Sequence, residues 1–243
     1  MINYAHRGAS EYAPENTMSA FHLALELGAD GIETDVRETS DGVLVLFHDR
    51  GLKRITGENV EIKDLTYKEL YSRDLGSYKS RKYANEKVVT LEDFLKYFSA
   101  KDIALAIELK SPGIEKRVVE LIYQYNCVPK VTVTSFEMQY LKNIRSFDNN
   151  IKLGFLTKIH IENVHDELVK NGINQYCPSI DIVTRELVAE THERGMTLRT
   201  CCVHTVELML RAIDYGVDGM TVNFPDILRR ELIARGIIQE CHI

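Results

Sequence analysis

Strand-like runs alternate with helical patterns from one end of the chain to the other, and this alternation constrains the fold more than any single motif. Apolar runs stand at 2–6, 31–36, 43–48, 103–109, 131–135, 151–156, 174–177, 197–203 and 219–222. Helical patterns lie between most of them, at 17–27, 91–99, 115–125, 136–146, 161–171, 185–194, 205–215 and 226–235. Their ends are punctuated. Thr90, with Asp93 three residues on, and Thr184 suit N-caps, while Gly28, Gly195, Gly216 and Gly236 follow last turns. The pattern predicts parallel strands with helices packed outside them. A length of 243 residues is near that of one α/β barrel domain. The long interruption at 50–90 is polar and lysine-rich. It reads as an insertion over one face, with too few large apolar side chains for a core of its own.

Charge and cysteine usage exclude several classes of function. The net charge is −6, and the densest basic run is "KSRK" at 79–82, which argues against a nucleic-acid partner. No stretch approaches the ~20 apolar residues of a membrane span. Met1 is followed within five residues by a His-Arg-Gly triplet, with no basic-then-apolar leader. The five cysteines (127, 177, 201, 202 and 241) are odd in number and lack C-x-x-C spacing, which predicts buried thiols in a reducing compartment. The expected location is the cytoplasm.

The acids carry the chemistry. Residues two apart on a strand share a face, so Glu33 and Asp35 point together, as do Glu108 and Lys110. Both pairs end apolar strands at the carboxyl-terminal side, where α/β barrels keep their active sites. Buried carboxylates side by side are costly unless neutralised, and three from two strands suit one hard divalent cation, Mg²⁺ or Ca²⁺. Two segments echo each other, "GADGIETD" at 28–35 and "GVDGMTVN" at 216–223. A recurring helix-to-strand turn accounts for the likeness. Thr221 and Asn223 replace Glu33 and Asp35 in the second copy, so the turn itself does not demand the acids. Seven residues separate Asp35 from Val43, too few for a crossover helix. Asp41-Gly42 suits a two-residue hairpin, which would pair positions summing to about 83 and set His48 opposite Asp35 on one face. An irregular parallel connection would also leave His48 at a carboxyl-terminal strand end. The hairpin explains nine strand-like runs in a barrel of eight.

Taken in order, "HRG" at 6–8, "PENT" at 14–17, "IETDV" at 32–36, "DGVLVLFHD" at 41–49, "IELK" at 107–110, "SF" at 135–136 and "GVDG" at 216–219 before Pro225 resemble the glycerophosphodiester phosphodiesterases over essentially the whole chain. The resemblance implies a TIM (β/α)8 barrel with a small insertion after the third strand. Residues 1–243 would be one phosphodiesterase domain, with 50–90 over the barrel mouth. It implies hydrolysis of small-molecule glycerophosphodiesters to glycerol 3-phosphate and an alcohol. Metal-ligand roles fall to Glu33, Asp35 and Glu108, acid–base roles to His6 and His48, and phosphate binding to Arg7 and Lys110. These types suit the task. Cleavage needs charge neutralisation, an activated nucleophile and a protonated leaving group, and two histidines titrate near neutrality. Gly8 would let the backbone approach a phosphate oxygen.

The chain departs from the family where a "WTVN" run and a "TD" pair are common: it reads "CCVH" at 201–204 and "VNFP" at 222–225, and it has no tryptophan. None of the proposed metal or acid–base residues is affected, so the departure bears on substrate fit at Cys201, with His204 expected on a surface loop. His22, His160, His165 and His192 fall on helices and read as solvated. Two other readings remain. A phospholipase-D-like hydrolase of lysophospholipids would want an apolar rim, yet 50–90 is rich in lysine and tyrosine. A barrel that binds phosphoesters without turnover would lack one or more of His6, His48, Glu33, Asp35 and Glu108, and all five are present.

Overall fold

The computed structural model describes residues 1–239; Cys241 lies outside them. Ile2–His6 (β1) pairs in parallel with Gly31–Glu38 (β2) on one side and with Gly219–Val222 (β9) on the other, so the first and last strands close a ring. From β2 the ring continues through Ala104–Leu109 (β4), Val131–Ser135 (β5), Lys152–Thr157 (β6), Gln175–Pro178 (β7) and Thr197–Val203 (β8) to β9. Every pairing in it is parallel. This is the expected eight-stranded barrel. The ninth strand, Leu44–Leu46 (β3), pairs antiparallel with the far end of β2, outside the ring.

The helices follow their sequence signals. Thr17 caps Met18–Glu26 (α1) by accepting the amide hydrogen of Ala20, and Thr90 and Thr184 cap Leu91–Phe98 and Arg185–Glu193 in the same way. Between strands lie Glu115–Gln124, Met138–Arg145, Val164–Lys170, Val206–Tyr215 and Pro225–Ala234. Apolar residues recur at helical spacing on the side that meets the barrel. Phe21 of α1 packs edge-on against Phe94, ring centroids 4.8 Å apart, and burying such a ring contributes about 1.5–3 kcal/mol. The two echoing segments do share a turn. Gly28 and Gly216 both adopt positive φ, and Asp30 and Asp218 each accept a backbone amide hydrogen from a neighbouring strand, from Asn3 and Leu198.

The hairpin differs from expectation by one residue. Val36 pairs with Leu46, so Asp35 lies opposite Phe47 rather than His48. Thr39 causes the shift. Its hydroxyl accepts from the Val43 amide at 3.0 Å and donates to Asp41 at 2.7 Å, closing a three-residue loop in which Gly42 takes φ 83°.

The segment 50–90 is also better packed than its composition suggested. Leu52, Ile55, Ile62, Leu65, Leu70, Leu75 and Val88 bury together. Their core is completed by Val45 and Phe47 of the hairpin, so it is built on the β3 arm. The segment also grips the loop after β1: Lys79 donates to the Ser10 carbonyl at 2.7 Å, and Tyr83 to the Tyr12 carbonyl at 3.1 Å.

Of the histidines expected on helices, His160 and His192 are exposed, and His160 lies in the loop between Thr157 and Val164 rather than on a helix. His22 is half-buried against the Tyr97 ring. His165 is not solvated: it is buried beside Tyr176, with Nε2 2.9 Å from the Thr191 hydroxyl. No helix among the described residues is long and apolar enough to cross a membrane.

Candidate active site

Strand register assembles the site. His6 is the lateral neighbour of Glu33, and Asp35 of Glu108. Strand alternation aims Glu33 and Asp35 to one face, and oxygens of Glu33, Asp35 and Glu108 lie within 4.8 Å of one another. All three are buried. Burial, then the charges of Asp35 and Glu108, push Glu33 up to about 8. Burial likewise raises Glu108 to about 7, with Lys110 opposing and Asp35 adding. Burial would raise Asp35 too, but Arg7, Lys110 and His48 outweigh it and hold that carboxyl well below the usual range.

Two cations approach the cluster. Arg7 Nε lies 3.2 Å from Asp35 Oδ2, and Lys110 Nζ 3.3 Å from Asp35 Oδ1; Lys110 also pairs with Glu108. Burial disfavours the Lys110 charge, yet Asp35 and Glu108 hold its pKa above the ordinary lysine value. Asp35 Oδ1 nevertheless accepts no hydrogen bond. Three buried carboxylates, one with an orphaned oxygen, fit a hard, oxygen-seeking cation.

The turn after β1 places Arg7. Arg7 and Gly8 both take positive φ, 56° and 81°, and the Arg7 amide donates to the Glu33 carbonyl and side chain at 2.8 and 3.2 Å. Gly8 serves packing rather than phosphate approach. A Cβ there would meet the Ala20 backbone at 2.6 Å, and its own amide donates to the Ala5 carbonyl.

Each histidine is held through Nδ1. His6 Nδ1 lies 2.6 Å from Asn223 Oδ1, which also accepts from the Ser10 hydroxyl. An amide oxygen has no hydrogen to give, so Nδ1–H donates and Nε2 keeps its lone pair, 4.0 Å from Glu33. Burial and the Arg7 charge push His6 down to about 4, against the pull of Asn223. His48 Nδ1 donates to Asp49 at 2.7 Å, and Asp49 accepts in turn from Arg54. Burial lowers His48, opposed first by Asp35 and assisted by Arg7 and Lys110. His48 therefore joins the cluster despite the shifted hairpin.

One cavity is lined by His6, Arg7, Glu33, His48, Glu108 and Lys110. Cys201 lines it too, as its place in the departing "CCVH" run implied, and so does the exposed His204. Sequence reasoning missed four supporting residues. Asn16 donates to Asp35 at 3.0 Å, Asn223 and Asp49 orient the histidines, and Arg199 is buried in the cavity lining. Arg199 donates to Thr221 at 2.8 Å and sits 5.0 Å from the Tyr4 ring centroid. The signals were present: Asn16 stands in "PENT", Asn223 is the residue that replaces an acid in the echo, and Arg199 interrupts an apolar strand.

A closed (β/α)8 barrel with carboxylates, histidines and cations at its carboxyl-terminal strand ends is the frame of a barrel enzyme. The sequence profile of the glycerophosphoryl diester phosphodiesterase family matches residues 6–227. A relative from Caldanaerobacter subterraneus subsp. tengcongensis, named a glycerophosphodiester phosphodiesterase, is 34% identical over 229 residues, covering 92% of this chain and 94% of its own. A Bacillus altitudinis protein of the same name is 34% identical over 231 residues, covering 92% and 94%. An Oleispira antarctica phosphodiesterase, solved in complex with the product sn-glycerol-3-phosphate, superposes with a TM-score of 0.86 at 25% identity, covering 94% and 95%. The chain belongs to the glycerophosphoryl diester phosphodiesterase family and is an enzyme of that family.

Proposed function

We propose that this enzyme hydrolyses small glycerophosphodiesters to glycerol 3-phosphate and an alcohol, with one divalent cation, Mg²⁺ or Ca²⁺, held by Glu33, Asp35 and Glu108. The observation that carries the reading is the convergence of three buried carboxylates within 4.8 Å between two histidines, each oriented through Nδ1. The product in the Oleispira antarctica structure supports the same product here. The single-domain reading of 1–243, with 50–90 over the mouth, rests on the grip of Lys79 and Tyr83 on the β1–α1 loop. The cytoplasm remains the proposed location. Four free cysteines among the described residues support it.

When bound, the cation would neutralise phosphate charge and polarise the ester. Arg7 and Lys110 supply fixed positive charge beside it. His6, neutral at pH 7 with a free Nε2, takes the proton of the attacking hydroxyl, whether from water or from the substrate's own glycerol. His48 delivers a proton to the departing alcohol. A bound phosphate offsets the Arg7 and Lys110 charges that lower the His48 pKa, so substrate binding itself favours the protonated imidazole. The polar, lysine- and tyrosine-rich composition of 50–90 favours small polar esters over lysophospholipids.

Phosphorus NMR of reactions with glycerophosphocholine and glycerophosphoethanolamine tests this. Glycerol 3-phosphate is the expected product from both. Release of phosphocholine, or no turnover with either cation supplied, would contradict the reading.

A further inference from the structure

Cys201 and Cys202 are consecutive residues near the end of β8, and both line the catalytic cavity. Consecutive side chains on a regular strand point to opposite faces. Cys202 breaks the rule. It takes φ 61°, a left-handed conformation uncommon for residues with a Cβ, and the β8–β9 register shifts between Thr200 and Val203. The kink brings the two sulfurs 3.7 Å apart. Both residues are half-buried, whereas Cys127 and Cys177 are completely buried. The expectation of uniformly buried thiols therefore fails at this pair.

We propose that Cys201 and Cys202 form a two-thiolate site for a soft, thiophilic Lewis acid, typified by trivalent arsenic, and that its occupation closes the catalytic cavity. A separation of 3.7 Å is under twice a metal–thiolate bond of ~2.3 Å, so one atom can touch both sulfurs. Thiolates select soft acceptors, whereas Mg²⁺ and Ca²⁺ take oxygen ligands. The dithiol and the carboxylate cluster thus face one cavity with opposite preferences. The hydrogen bond from Cys201 pulls the Cys202 thiol down to about 6 against burial, helped by Ser179, Lys158 and His204. The same hydrogen bond and burial raise Cys201 well above the ordinary thiol value, so Cys202 is the sulfur that attacks first. With phenylarsine oxide the step is a condensation. Two arsenic–sulfur bonds form and the arsenic–oxygen bond breaks. That oxygen leaves as water with the Cys201 thiol proton and one proton from solvent in place of the one Cys202 has released, and arsenic stays trivalent.

Intact-mass spectrometry of freshly reduced enzyme titrated with phenylarsine oxide tests the site without reference to catalysis. One phenylarsenic group per chain is expected, resistant to excess glutathione and removed by 2,3-dimercaptopropanol. Cys201→Ser and Cys202→Ser should each abolish stable uptake, and Cys241→Ser should keep it. No stable adduct on the wild type, or equal uptake by the double serine variant, would overturn the site. Closure of the cavity rests on the proposed hydrolysis and is read separately. Turnover should fall in proportion to the adduct and return with the dithiol, and full turnover by the adduct would overturn the closure. An enzyme inactive before treatment would refute the hydrolytic reading and leave the mass result standing.

Discussion

His6 and His48 use the same device with different partners, an amide oxygen and a carboxylate, to fix which nitrogen faces the substrate. Replacing either with alanine should lower kcat by roughly 10²–10⁴-fold while calorimetry still detects the divalent cation; loss of the cation with a near-normal rate would make that histidine a ligand. The carboxylates give a second expectation. Without a cation, folded Glu33 and Glu108 keep protons up to about 8 and 7, whereas the ordinary carboxyl value is 4.5. The folded state then binds the extra protons. Below about 6.5 the lowered His6 and His48, which bind fewer protons folded than unfolded, oppose them, so stability falls chiefly as pH rises from about 6.5 to 8. Asp35, held low, is ionised throughout that window. Melting of chelator-treated protein should therefore drop in temperature across that range, and saturating Mg²⁺ should flatten the drop. A chelated protein whose melting ignores pH would contradict the crowding of acids. Glu33 and Asp35 were legible because strand alternation is a local rule, whereas the hairpin register expected to place His48 was off by one residue. Asn223 and Arg199 were not legible, since their partners come from register between strands distant in sequence.

The β1–α1 turn is the element on which the site depends most. Ala in place of Gly8 would strain a φ of 81°, costing about 1–2 kcal/mol, and would drive its Cβ into α1 at Ala20, adding ~1–3 kcal/mol of overpacking. The Gly8→Ala variant should melt earlier and lose kcat together, because Arg7 moves with the turn. Unchanged melting and turnover would show that α1 accommodates the methyl group freely. Helix starts were readable from Thr90 and Thr184, whose hydroxyls act within their own turn. The hairpin was readable as a hairpin from Asp41-Gly42, but not its register. Thr39 has no turn signature by itself and lengthens the loop only by binding Val43 and Asp41 together.

At the scale of the molecule, barrel closure was legible from strand–helix alternation, while the packing of 50–90 was not, because its core borrows Val45 and Phe47 from the hairpin. Arg54 ties this segment to the site, bridging Glu15, which pairs with Arg7, and Asp49, which holds His48. It is largely exposed, so Arg54→Ala should cost under ~1 kcal/mol of stability. It should still lower kcat/KM by loosening both partners; unchanged kinetics would detach the segment from catalysis. One divalent cation on Glu33, Asp35 and Glu108 should be required for glycerophosphodiester hydrolysis. The direct measurement is turnover of glycerophosphocholine after exhaustive chelation and dialysis, followed by titration with Mg²⁺ or Ca²⁺. Activity should vanish and return with one equivalent bound per chain in the wild type, and Glu108→Gln should bind more weakly. Full turnover in excess chelator would show that the three carboxylates work without an ion.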